Sequence, residues 1–72
     1  MRMIWFSPFK RYGLDLNDDG SWFLAEYPID PVAGGTVWEL DGLSRAEAAS
    51  RIRGLGYDPE PLLRQVEDPG QA

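Results

Sequence analysis

The chain contains no cysteine and no histidine. The first absence excludes disulfides and thiolate metal sites. The second removes the commonest general base and the commonest zinc ligand. Lys10 is the only lysine, and the sequence gives it no evident apolar burial that would make it a nucleophile. No apolar run approaches the 20 or so residues of a membrane helix, and the short apolar start, broken by Pro8, does not read as a secretory signal. The expectation is therefore a soluble, cytoplasmic protein with no catalytic residue and no membrane partner. No P-loop or dinucleotide glycine motif occurs, since Gly34-Gly35 lacks the rest of either pattern.

What is present fits one domain. The 72 residues include nine aromatics and are 43% hydrophobic and 26% charged, a globular balance. Without disulfides or metal, a chain this small must offset its ordering entropy almost wholly by burial. Trp5, Phe6, Phe9, Tyr12, Trp22, Phe23, Tyr27, Trp38 and Tyr57 are accordingly expected to form most of the core. The expected compact unit is residues 1–67, with 68–72 a frayed tail containing proline and glycine.

The residues from Arg2 to Phe9 are apolar and strand-favouring, with Pro8 marking an end. Tyr12, Leu14 and Leu16 alternate with Gly13 and Asp15, and Ser21 to Tyr27 alternates again. Between them, Asn17-Asp18-Asp19-Gly20 has the residues of a type I turn closed by a left-handed glycine. A β-hairpin from Tyr12 to Tyr27 follows, with Trp22, Leu24 and Glu26 on one face. Pro28, Pro31, Gly34 and Gly35 make a loop, and Thr36 to Leu40 reads as a strand with Trp38 and Leu40 on one face and Val37, Glu39 and Asp41 on the other. Ser44 and Glu47 form the capping-box pattern that starts a helix. Its apolar stripe is Ala48, Ala49, Ile52 and Leu55, and Gly56 is its stop. Asp58-Pro59 starts a second, short helix that runs to Glu67 and offers Leu62, Leu63 and Val66. Strands first and helices last predict an α+β fold: a small antiparallel sheet of three to four strands, then one main C-terminal helix and a short second one.

Charge is segregated. Residues 1–12 carry +3, residues 13–43 carry −7 with no cation at all, and residues 44–72 carry −1, giving the net −5. Such a balance is wrong for gripping nucleic acid directly. It suits either solubility or a partner with a basic surface, toward which a dense negative potential speeds encounter. Asp18, Asp19, Glu26, Asp30, Glu39 and Asp41 are the candidate partner-binding residues. Basic grooves are commonest on proteins that handle nucleic acid, so an acidic occupant of one acts as a DNA mimic and inhibitor. In size and charge, though in no motif, the chain is similar to small acidic anti-CRISPR proteins and other phage-encoded inhibitors.

Two further patterns compete with that reading. Asp15 to Glu26 matches D-x-[DN]-x-[DN]-G-x₅-E and resembles an EF-hand loop; DLNDDG is also similar to the loop of dockerin modules. The resemblance implies a calcium site in which Asp15, Asn17, Asp19 and Glu26 are side-chain ligands, Ser21 offers its carbonyl, and Gly20 makes the turn. Against it, Gly13 and Pro28 flank the segment where helices belong, and on an extended strand Glu26 would sit roughly 20 Å from Gly20. Residues 43–63 resemble a helix-turn-helix, but the second helix begins Asp58-Pro59-Glu60, acidic where phosphates would lie. The sequence also predicts that each of the pairs Trp5-Phe6 and Trp22-Phe23 puts one ring on either side of the sheet. Two short helices cover only one side, so the second face calls for a homodimer partner, another protein, or a folded-over loop.

Overall fold

The computed structural model describes residues 3–30, 32 and 34–68. It is an α+β fold: strands β1 (Ile4–Phe6), β2 (Arg11–Leu16), β3 (Trp22–Tyr27) and β4 (Trp38–Leu43), then helices α1 (Arg45–Gly54) and α2 (Pro59–Glu67). The strands form one antiparallel sheet in the order β1-β2-β3-β4, each paired with its neighbour in sequence. Among the described residues, no helix is long and apolar enough to cross a membrane.

The β2–β3 hairpin forms as the turn chemistry requires. The Asn17 N–H donates to the Ser21 carbonyl at 2.8 Å, and the Gly20 N–H donates to the Asn17 carbonyl at 3.0 Å. Gly20 has φ +89°, a conformation that costs a side-chain-bearing residue appreciably. β1 is shorter than the expected Arg2–Phe9. Ser7 leaves the strand with φ +87°, and its hydroxyl accepts from the Phe9 and Lys10 N–H groups at 3.2 Å each, closing the turn toward β2. β4 begins and ends later than the expected Thr36–Leu40. Leu24 pairs with Leu40 but Trp22 pairs with Leu43, so β4 carries one extra residue there. Gly42 (φ +69°) supplies the positive φ of this bulge, which turns Leu43 back to the buried side.

Both helices start as their caps dictate. The Ser44 hydroxyl accepts from the Glu47 N–H at 3.1 Å while the Glu47 carboxylate accepts from the Ser44 N–H at 2.9 Å. Asp58 accepts from the Glu60 N–H, with Pro59 in the first turn, where its missing N–H costs nothing. α1 lies over β3 and β4 and α2 over β2. The core between helices and sheet contains Phe6, Tyr12, Leu14, Trp22, Leu24 and Leu43 from the strands, and Ala48, Ile52, Leu63 and Val66 from the helices. Arg45 ties the helices together through Glu67 (2.8 Å) and Glu60 (3.0 Å).

Fewer aromatics are interior than expected. Phe6, Tyr12 and Trp22 are buried, and Phe23, Tyr27, Trp38 and Tyr57 partly so; Trp5 is 51% and Phe9 79% exposed. The reason is topological, because Trp5 falls on the helix-free face and Phe9 in a turn. That outer face is partly closed by its own side chains. Met3 and Tyr27 lie over Gly13, and the Trp5 and Tyr27 rings meet edge to face at 5.1 Å. Gly13 and its cross-strand neighbour Ala25 are buried there. The Arg11 guanidinium stacks on Trp5, 4.9 Å from the ring centroid.

Candidate functional site: the acidic edge strand and its groove

The strand order decides where the acidic residues end up. Asp18 and Asp19 are exposed in the β2–β3 turn. Asp19 accepts from the Ser21 N–H at 2.9 Å and the Ser21 hydroxyl at 2.6 Å, bonds that hold its carboxyl below the ordinary aspartate range and keep it charged. The Asn17 amide donates to Ser21 Oγ at 3.0 Å and to Asp41 Oδ1 at 2.7 Å. This last bond stitches the turn to the β4 bulge, where Asp41 also accepts from the Gly42 N–H at 2.9 Å. Glu39 follows on β4, exposed on the outer face. The Asn17 bond thus sets Asp41 beside the turn that carries Asp18 and Asp19, with Glu39 two residues back along β4. Among the described residues, none of the four lies in an ion pair.

Glu26 and Asp30 do not join them. Asp30 sits in the β3–β4 loop, at the opposite end of the sheet from the turn, and accepts from the Val32 N–H at 3.0 Å. Glu26 faces the helices. Its carboxylate accepts from Trp38 Nε1 at 2.8 Å and lies 3.9 Å from the Lys10 ammonium. Its charge, after burial, helps push the Tyr12 hydroxyl above the ordinary tyrosine range. Glu26 thus has a structural task, anchoring the indole of the edge strand.

The same geometry bears on the calcium-loop pattern. Ser21 is followed at once by strand β3, so Glu26 pairs with Tyr12 at the far end of the hairpin. Asp15 is buried on the outer face and accepts from the Leu16 N–H, whereas Glu26 is on the helix face. Asn17 and Asp19 are engaged with Ser21 and, for Asn17, Asp41. The four residues are not brought together, and no cluster of three or more potential ligands occurs among the described residues.

Beside the acidic edge lies a groove of about 610 Å³ between β4 and α1, lined by Trp38, Leu40, Glu47, Ser50, Arg51, Gly54 and Leu55. Its floor is apolar and its rim carries one anion and one cation. A Cβ at Gly54 would meet nothing within 4 Å, so the helix leaves this space open. The sequence pattern places Trp38 and Leu40 on one strand face and Leu55 on the helix stripe. Strand order is not legible in that pattern, and β4's place at the sheet edge is what leaves these side chains only partly covered.

Comparison with known protein families, with curated proteins and with solved structures found no match.

Proposed function

We propose that this protein is a non-enzymatic interaction module that presents the acidic β4 side of its sheet to a partner with a basic surface. The observation that carries the reading is that Asp18 and Asp19 in the turn, Asp41 bonded to that turn through Asn17, and Glu39 on the same strand are all exposed and without ion-pair partners among the described residues. Exposed carboxylates without neutralising partners speed encounter with a positive groove and fix orientation within it. Where that groove serves nucleic acid, its occupation excludes the nucleic acid, and the module acts as an inhibitor and DNA mimic. The cytoplasm is the proposed compartment.

The test is affinity capture from a source lysate at low and high salt, with the parent and with an Asp18→Lys/Glu39→Lys variant. The expected result is a basic partner that elutes with salt, is lost in the variant, and releases its nucleic acid when the parent protein is added. Capture unaffected by both salt and charge reversal overturns the reading.

A further inference from the structure

The groove and the acidic edge are two halves of one feature. β4 has a strand partner on one side only, and an edge strand presents the main-chain N–H and C=O groups of alternate residues outward. The other edge, β1, is only three residues long. Proteins commonly blunt an edge with charge and bulges. Here the bulge at Asp41 and Gly42 ends the regular pairing surface after Leu40, but no element covers the stretch before it among the described residues. Side chains of a strand laid along β4 would alternate between two environments. On the helix side they would enter the groove over Trp38, Leu40 and Leu55, whose volume falls in the range of small-ligand sites, roughly 300–1,000 Å³. On the outer side they would lie beside Val37, Glu39 and Asp41.

We infer that β4 is a docking strand for an extended, basic segment of a partner protein in which lysine or arginine alternates with apolar residues. This inference rests on the acidic-edge reading above and specifies how the edge is engaged. Main-chain pairing supplies affinity, the groove selects the apolar positions, and Glu39 and Asp41 select the charged ones. The same carboxylates argue against a second copy as the occupant. Antiparallel self-pairing of the regular stretch about Glu39 would set the two Glu39 carboxylates against each other, a like-charge contact that destabilises a sheet.

The test uses a capped peptide of alternating lysine and valine, titrated against the full chain with backbone amide NMR as readout. Two further peptides carry N-methyl groups on all lysine or on all valine amides, so that only one of them loses the hydrogen bonds aimed at β4. The expected result is a set of shifts centred on residues 37–41, and about tenfold weaker binding for one methylated peptide but not for the other, the order of effect of losing one or two net hydrogen bonds. Gly54→Leu places a side chain in the groove without meeting its own chain. It should keep the parent's melting temperature or raise it, and weaken the peptide by a similar factor. Peptide binding that ignores methylation and Gly54→Leu but falls with Asp18→Lys/Glu39→Lys overturns strand addition and leaves the acidic-surface reading standing. Binding that ignores charge reversal but responds to methylation overturns the acidic-surface reading and the basic character of the segment. No binding of the unmodified peptide overturns strand addition.

Discussion

Trp22 and Trp38 make a matched pair of perturbations. Both are tryptophans on the helix face of the sheet, but Trp22 is 2% exposed in the core and Trp38 is partly exposed at the groove. Truncating Trp22 to alanine removes its transfer free energy and also leaves an enclosed cavity, together about 3–5 kcal/mol. Truncating Trp38 opens onto a groove that water already reaches, so the cavity contribution is absent and about 1.5–3 kcal/mol is lost. The sequence alone places Trp38 in the core and predicts the larger figure for it. A domain of this length has a total stability of roughly 4–11 kcal/mol. Trp22→Ala should therefore lose a large share of that stability and melt roughly 12–40 °C lower, whereas Trp38→Ala should remain folded and melt roughly 6–24 °C lower, at about 4–8 °C per kcal/mol. Urea titration followed by far-ultraviolet circular dichroism, which does not depend on the deleted fluorophore, measures both midpoints. If Trp38→Ala cost as much as Trp22→Ala with an unchanged m value, the groove would be filled in solution and the open edge described above would be wrong.

Ser44→Ala removes one half of the capping box and should lower stability by about 1 kcal/mol, read as a melting shift. Glu39→Lys should leave the melting temperature unchanged, since exposed substitutions usually matter by less than about 0.5 kcal/mol; Asp41→Lys should not be silent, because Asp41 accepts from Asn17 and Gly42, and about 0.5–1.5 kcal/mol is at stake. Hydrogen bonding to Arg45 depresses the Glu67 carboxyl below its usual 4.5, and capping depresses Glu47. Carboxyls depressed on folding contribute stability that is present above the unfolded value and lost as pH falls through the folded one. Acid titration of the melting temperature should therefore fall below about pH 4.5, and Arg45→Met should flatten that slope. Light scattering at micromolar concentration should give a monomer of 8.1 kDa; a doubled mass abolished by Trp5→Ser would instead place a two-fold interface on the outer face.

The features legible in the sequence are those whose causes are local. The turn at Asn17–Gly20, the Ser44/Glu47 box and the Asp58-Pro59 start each involve residues within four positions of one another, so their chemistry can be read directly. What escaped depends on strand order. Asp41-Gly42 looks like a strand terminator, and only the pairing with β3 shows it to be a bulge inside β4. Glu26 counts as one more acidic residue until Trp38, twelve positions away, is laid beside it. The charge imbalance is plain in the sequence, but that Asp41 joins the turn through Asn17 while Glu26 turns to the helix face follows only from the pairing of the strands.

Each strand pairs with the one before it, and the longest connection is the loop of residues 28–37. No closure between strands thus spans more than a short segment, and the entropy of loop formation stays small throughout assembly. The meander can zip outward from the β2–β3 turn, one hairpin at a time. Until α1 and α2 have been made, however, its helix-side face has nothing to cover it. The last residues of the described chain thus seal what the first ones build, and a chain interrupted before residue 45 would carry a complete sheet with Leu14, Trp22 and Leu24 open to water. Folding should be fast once the chain is whole and aggregation-prone before it, a contrast that stopped-flow refolding of the full chain and light scattering of a 1–44 fragment would bring out.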